Sequence, residues 1–472
     1  MTCPDCEGRG VLGFFDICET CGGRAEVPDP APQGGLVPYE LPPPVPEPAP
    51  KAKRTRGPLP ALELPPIPEI MRLEQALSQF HYSALRPGQP EIIESVLSRS
   101  SNLVICATGF GKSCCFQIPA LMLEGLTVVV SPLISLMRDQ VASLLRRGVP
   151  AAALTSQLTP RQQSQVLTAI SRLKLLYVAP ERLNNAEFIA SLEGIDIANL
   201  VCDEAHQISE AGMSYRPKYR LVGYLMRKHR PRKISAFTAS ATPEVQEDIK
   251  RQLLIPGAKT FVMGFDRPNL SYEVVRLGYD ADLAKLNQIL RRAREALQGG
   301  AVLVYTMSRD RAEKVAGFLV RNHIRARPYH AKLGKQEREQ TERDFLEGRL
   351  GLLAATCAFG MGVDRPDVRL VIHDVLPGSV EAYYQEAGRA GRDGKPARCV
   401  LLLGPRDVSS RLWLIEQTNP NPEGLARQRR LLDQLARLLD RPTCRAKQIR
   451  EYFGEQDVQT CGRCDVCHRR SF

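Results

Sequence analysis

Short apolar runs alternate with amphipathic stretches along most of this chain. Between about residues 70 and 263 the runs Leu103–Cys106, Thr127–Ser131, Leu175–Val178, Leu200–Asp203 and Ile234–Thr238 are separated by segments of helical pattern. Four or five apolar residues in a row suit strands buried on both faces, and interposed helices make such strands parallel. From about 264 to 405 the alternation restarts with Ala301–Tyr305, Leu352–Ala355, Leu370–His373 and Cys399–Leu403. Two successive blocks predict an α/β chain with two doubly wound parallel-sheet domains. Residues 406–472 read as helical and cysteine-containing. At the other end the pattern fails. From Pro28 to Pro68 more than a third of positions are proline, and Lys51 to Arg56 form a basic run. Residues 27–69 therefore predict an extended tether that buries no core. The basic run is open between phosphate contact and a solvated charge cluster.

The first chemistry lies between two of these elements. Cys106-Ala107-Thr108-Gly109-Phe110-Gly111-Lys112-Ser113 follows a strand-like run and opens the helix-like run Cys114–Leu123. Strand, glycine loop and helix in that order form a phosphate-binding loop. Gly109 and Gly111 let backbone N–H groups turn inward as an anion nest at a helix start. Lys112 then reaches the β- and γ-phosphates, and the Ser113 hydroxyl ligates Mg²⁺. Cys106 stands where the first glycine of the strict G-x-x-x-x-G-K-[ST] form would be. About ninety positions later Leu200-Val-Cys-Asp-Glu-Ala-His206 ends an apolar run in two adjacent carboxylates. Asp203 is expected to hold Mg²⁺ through water and Glu204 to orient and deprotonate the attacking water, with His206 sensing the γ-phosphate. The expected chemistry is nucleotide hydrolysis.

Charge narrows the partner. The 472 residues carry a formal charge of +12. Two tetrathiolate zinc sites would each contribute about −2 and leave the chain still basic, at about +8. A basic nucleotide hydrolase points to a polyanion. No run of eighteen apolar residues and no secretory leader pattern is present, so neither a membrane span nor secretion is expected. A reducing compartment follows, and there paired cysteines mean metal. Cys3-x₂-Cys6-x₁₁-Cys18-x₂-Cys21 predicts a zinc module over residues 1–26, and Cys444-x₁₆-Cys461-x₂-Cys464-x₂-Cys467 a second zinc site. The run from Cys3 to Gly10 is similar to the zinc repeats of DnaJ-type chaperones over about twenty residues, and its role is open between nucleic-acid and protein contact.

Further motifs make the chain specific. They are Leu85-Arg-Pro-Gly-Gln-Pro-Glu-Ile-Ile93, Ser131-Pro-Leu-Ile-Ser-Leu-Met-Arg-Asp-Gln140, Tyr177-Val-Ala-Pro-Glu-Arg-Leu183 and Ser240-Ala-Thr242. The second block adds Tyr329-His-Ala331, Ala358-Phe-Gly-Met-Gly-Val-Asp-Arg-Pro-Asp-Val368 and Tyr383-Tyr-Gln-Glu-Ala-Gly-Arg-Ala-Gly-Arg-Asp-Gly394. With the cysteine pattern at the end, residues 70–468 resemble the RecQ family of superfamily 2 DNA helicases. The resemblance implies two RecA-like domains, 70–263 (ATP-binding) and 264–405. It also implies a helical hairpin with a zinc-binding subdomain over 406–472. It implies ATP, Mg²⁺ and, with the N-terminal module, two Zn²⁺. Gln89, whose amide matches the adenine edge, joins Arg86 and a stacking Tyr82 around the base. Arg389 and Arg392, three apart, would both face the γ-phosphate from a helix, with Arg392 as arginine finger. Gln385 and Asp364 belong to the same cleft.

The implied activity is 3′-to-5′ movement on single-stranded and forked DNA in repair or recombination, in the bacterial cytoplasm at the nucleoid, or in a eukaryotic nucleus. A monomer is expected, with a protein partner open at the zinc module or proline-rich tether. The chain stops five residues after Cys467. The winged-helix and HRDC domains of many family members are therefore expected to be absent, and an ATPase that strips proteins from DNA or anneals strands is the alternative. The loop from Ile208 to Tyr219 has Ala211 and Met213 where the family has tryptophan and histidine. Tyr215 and Tyr219 then remain for base stacking, and weak stimulation by DNA is expected. Trp413, the only tryptophan, is expected to be buried in the hairpin, and Arg463 to be available for phosphate.

Overall fold

The computed structural model describes residues 62–107, 109–209, 217–278, 281–356, 365–418 and 421–469. Cys3, Cys6, Cys18, Cys21, Thr108, Ala211, Met213, Tyr215 and Asp364 lie outside the described residues.

Seven strands form the first sheet: β1 (Asn102–Ile105), β2 (Leu126–Val130), β3 (Ala151–Leu154), β4 (Leu175–Val178), β5 (Ile197–Cys202), β6 (Ile234–Thr238) and β7 (Lys259–Val262). Their order is β3-β4-β2-β5-β6-β1-β7, with every pairing parallel. The inner strands β1, β2, β4, β5 and β6 are buried throughout, as continuous apolar runs require when helices cover both faces. β7 closes one edge and is the exception, with no buried residue.

The second sheet holds β8 (Leu270–Arg276), β9 (Ala301–Tyr305), β10 (Ala326–Tyr329), β11 (Leu352–Ala355), β12 (Val368–His373) and β13 (Ala397–Leu403). Its order is β10-β11-β9-β12-β13-β8, again wholly parallel. Pro328 sits in the edge strand β10, where a missing N–H costs no ladder bond. Both domains are RecA-like α/β layers. The apolar runs singled out in the sequence fall in nine of these strands. β3, β7, β8 and β10 are the four they did not mark.

The C-terminal part is a hairpin of helices Asp407–Thr418 and Pro422–Asp440, followed by the short helices Arg445–Tyr452 and Asp465–Arg469. Leu431, Leu432, Leu435, Leu438 and Leu439 bury the apolar stripe of the long helix. Trp413 corrects an expectation: it is 60% exposed. The buried position of its helix is Ile415, and two residues along a helix is about 200° of rotation, which turns Trp413 outward.

Arg463 is a second correction, because its guanidinium is committed to structure. Nε donates to the Leu270 carbonyl (2.9 Å), one terminal nitrogen to the Cys461 carbonyl (3.1 Å), and the other to Asp266 and the Arg267 carbonyl (both 3.3 Å). Asp465 accepts from the Val274 N–H at 3.3 Å and pairs with Arg445 at 3.1 Å. The cysteine-bearing subdomain thus covers the open edge of β8, which would otherwise expose unpaired backbone groups.

Candidate nucleotide site between the two domains

The glycine loop leaves the carboxyl end of β1, where parallel α/β sheets bind ligands. Gly109 (φ +90°) and Gly111 (φ +93°) both have left-handed backbone, and a Cβ on Gly111 would lie 2.8 Å from Gln89 Nε2. The loop's carbonyls are held from below. Arg86 donates to the Gly109 carbonyl, and Gln89 Nε2 donates to the Phe110 carbonyl at 2.8 Å. Gln89 Oε1 in turn accepts from the Arg86 N–H at 2.8 Å. An amide has a second N–H and a second lone pair, so each polar atom of Gln89 retains one position for a base edge. Tyr82 is 43% exposed and stacks on Phe80, with ring centroids 6.1 Å apart. Lys112 Nζ lies 3.5 Å from the Cys106 carbonyl, and Ser113 immediately precedes the helix Cys114–Met122, its hydroxyl making no capping bond among the described residues. Cys106 is buried in the sheet, and burial pushes its thiol up to about 12.

Adjacent carboxylates follow β5. Asp203 accepts from the Glu204 N–H (3.0 Å) and from the Ser131 hydroxyl (3.2 Å). Burial and the neighbouring Glu204 push its carboxyl up to about 6, with Lys112 opposing. Glu204 adopts φ +50°, a backbone conformation uncommon outside glycine. His206 Nδ1 lies 2.9 Å from Thr238 Oγ1 and 3.4 Å from Glu204 Oε2. Burial, and then Lys112, hold this imidazole down to about 4, so it is neutral near pH 7. Thr238 Oγ1 donates to the Ser240 carbonyl at 3.3 Å. Tyr219 corrects another expectation. It is fully buried, and its hydroxyl donates to the carbonyls of Val130 (2.7 Å) and Asp203. A ring enclosed beneath the acidic turn has no face for a base.

The second domain meets this cluster directly. Gln385 Nε2 donates to the Ser240 hydroxyl at 2.8 Å. A Cβ on Gly109 would lie 3.9 Å from Cγ of Arg392, so Arg392 approaches the glycine loop. Arg389 turns elsewhere. It is buried, and its guanidinium bonds the Tyr305 hydroxyl. Nor are the two arginines on a helix, which ends at Ala387. Gly391 has φ +56°, and its N–H donates to the Val368 carbonyl at 2.9 Å, which draws the chain into a turn. Arg267 donates to the carbonyls of Gly388, Ala390 and Gly391, and Asn269 donates to that of Gly391. Arg267 and Asn269 carry no local signal, because their partners lie more than a hundred residues away. Ser240 belongs to the Ser240-Ala-Thr242 motif, and its partner Gln385 lies 145 residues away in the sequence.

Apart from this cleft, Cys444, Cys461, Cys464 and Cys467 bring their sulfurs within 4.8 Å of one another. The Cys461 N–H points at Cys444 Sγ (3.2 Å) and the Arg445 N–H at Cys464 Sγ (3.4 Å). Four thiols with backbone N–H donors fit tetrahedral Zn²⁺.

Three families match consecutive parts of the chain: DEAD/DEAH box helicase over residues 86–249, helicase conserved C-terminal domain over 281–394, and RecQ zinc-binding over 405–468. The ATP-dependent DNA helicase RecQ of Bacillus subtilis is 41% identical over 395 residues, which is 82% of this chain and 65% of that protein. RecQ of Pasteurella multocida is 39% identical over 84% of this chain and 63% of its own length. The chain therefore spans a little under two thirds of these relatives. A shorter relative, the probable ATP-dependent DNA helicase RecS of B. subtilis, is 37% identical over 83% of this chain and 78% of its own length. Among solved structures, the helicase MrfA bound to DNA and AMPPNP superposes with a TM-score of 0.60. It is 18% identical over 85% of this chain and 60% of that one. A single-substitution variant of S. cerevisiae Dbp5 bound to RNA and ADP BeF3 gives 0.58 at 16% identity, over 84% and 95%. These two likenesses speak for the fold alone.

Proposed function

Because the chain belongs to the RecQ family of ATP-dependent DNA helicases, we propose that it is an ATP-driven motor on DNA. The observation that carries this reading is the cross-domain contact. The Arg392 side chain from one domain meets the glycine loop of the other, and Gln385 bonds Ser240 within reach of the acid cluster. A nucleotide there has to touch both domains, so its hydrolysis alters the force between them.

In this reading Lys112 and the loop N–H groups bind the β- and γ-phosphates of ATP, while Arg86, Gln89 and Tyr82 hold the base. Ser113 and, through water, Asp203 would hold Mg²⁺, which would neutralise phosphate charge. Glu204 takes the proton from the attacking water. Neutral His206, beside Glu204, hands the change at the γ-phosphate through Thr238 and Ser240 to Gln385. Arg392 stabilises charge on the transferring phosphoryl group, an effect on the order of 10³–10⁵ in rate for such fingers. Arg389 serves by anchoring the turn that aims Arg392. Asp364, Thr108 and the 3′-to-5′ direction are assigned by family resemblance, as are action on single-stranded and forked DNA and a place in repair or recombination; a monomer is the working state. Two zinc ions complete the reading, one on Cys444, Cys461, Cys464 and Cys467 and one on Cys3, Cys6, Cys18 and Cys21. Metal analysis is expected to return about two Zn²⁺ per chain, and a value of one removes the N-terminal site.

The test is steady-state ATP hydrolysis with and without single-stranded DNA, with single-stranded RNA as control, followed by a forked duplex. DNA-specific stimulation and release of single strands are expected. Stimulation without strand release would favour the remodelling or annealing alternative, and ATP hydrolysis indifferent to DNA would sink the motor reading.

A further inference from the structure

The subdomain that carries the four C-terminal cysteines also reaches the nucleotide cleft. Its helix Arg445–Tyr452 begins at Cys444, which is the N-cap residue, and ends with Tyr452, Phe453 and Gly454 between the two domains. The Tyr452 hydroxyl donates to Glu381 Oε1 at 2.6 Å and lies 3.3 Å from Gln434 Oε1. Phe453 is buried and stacks on Phe265 of the interdomain connection at 4.4 Å, while the Phe265 N–H donates to Glu455. A Cβ on Gly454 would lie 2.8 Å from Cγ of Pro243 in the first domain. One short segment therefore touches both domains and the hinge between them.

Glu381 is the informative partner. It is 94% buried (6% exposed), and its Oε2 has no hydrogen-bond partner among the described residues. Desolvation opposes a buried carboxylate, so its one bond, to Tyr452, is what holds the group in place. Glu381 and Gln385 are four apart on the helix Val380–Ala387, so they share one face, one turn from each other. Gln385 meets Ser240 there, and Glu381 is close enough to His206 to act on its charge.

We infer that Tyr452 and Glu381 are positioning residues for hydrolysis: their phenol–carboxylate bond fixes the helix face that brings Gln385 to Ser240. The cysteine-bearing subdomain thereby sets the alignment of the cleft, besides covering the edge of β8. The inference rests on the ATPase reading given above.

The experiment uses the full chain and measures kcat and KM for ATP with saturating single-stranded DNA, alongside the thermal midpoint. Losing one hydrogen bond to a charged acceptor predicts that Tyr452→Phe lowers kcat about tenfold with KM within about twofold. Glu381→Gln, whose amide oxygen still accepts from the phenol, is expected to stay within about threefold, while Glu381→Leu falls as far as Tyr452→Phe. Because both bonds align one helix, Tyr452→Phe combined with Ser240→Ala is expected to be no slower than Ser240→Ala alone. Multiplied effects in the double variant, or wild-type kcat in Tyr452→Phe and Glu381→Leu, would overturn the inference while leaving the motor reading in place. An unmodified chain that hydrolyses no ATP would overturn both.

Discussion

The Gln385 side-chain amide donates a hydrogen bond to the Ser240 hydroxyl at 2.8 Å, joining the helix Val380–Ala387 of the second domain to the segment after β6 in the first. From Ser240 the contacts run through its own carbonyl to Thr238, then to His206, and so to Glu204. Ser240→Ala and Gln385→Ala each remove one neutral hydrogen bond, so each is expected to slow DNA-stimulated kcat by about tenfold. KM for ATP should hold, since neither group is assigned to nucleotide binding. Equal losses in kcat and ATP affinity would contradict a coupling role.

The two arginines after that helix are expected to separate experimentally. Arg392→Ala should cost on the order of 10³-fold or more in kcat with an unchanged thermal midpoint, as for loss of an arginine finger. Arg389 is buried against the Tyr305 hydroxyl. Arg389→Ala should therefore lower the midpoint as well, because a buried phenol loses its partner. Kinetics and thermal unfolding on the same two preparations decide it.

Acid stability should carry the mark of His206. Its imidazole is held down to about 4, below the usual value of 6.5, by burial and Lys112. A depressed histidine stabilises the fold above its unfolded pKa, and that contribution is lost as pH falls through the folded value. The window is thus about pH 6.5 down to 4, and the full effect is on the order of 3 kcal/mol. Asp203, pushed up to about 6, has the opposite sign: its contribution is present below the ordinary carboxylate range and is lost as pH rises through 6. His206→Gln should flatten the fall in unfolding midpoint between pH 6.5 and 4. An unchanged slope would mean that the imidazole is not buried neutral.

Tyr219 and Ala211 make a contrasting pair. Removing the Tyr219 hydroxyl leaves the Asp203 carbonyl short of a donor, while that of Val130 keeps the Asp203 N–H at 2.9 Å, so Tyr219→Phe should cost about 1–3 kcal/mol in stability. The fold-stimulation of ATP hydrolysis by DNA should stay the same, because the ring offers no face to a base. Ala211→Trp restores the family's aromatic residue and should raise that stimulation. Hydrolysis assays with and without DNA, beside denaturant titrations, test both substitutions.

Much of the architecture was legible because it is encoded locally. Apolar runs such as Leu126–Val130 have one physical solution when helices follow them, a strand covered on both faces. Gly109 and Gly111 announce left-handed backbone, and Cys444, Cys461, Cys464 and Cys467 gather as their spacing suggests. The edge strands were harder to see. β3 is mostly alanine, which disfavours strands and suits helices equally in an apolar run, and β10 contains proline, so neither stands out as a strand.

What the sequence determined by itself was composition of the site: a glycine loop with Lys112, an acidic pair, and arginines after a helix. Only the tertiary structure decided which of these groups face one another. Arg389 and Arg392 are alike in sequence, yet the turn held by Arg267 and Asn269 sends one to Tyr305 and the other to Gly109. Tyr219 and Trp413 exchanged their expected environments for the same reason. Local sequence sets backbone preference within a few residues, whereas the burial of a side chain depends on packing against elements distant in the chain.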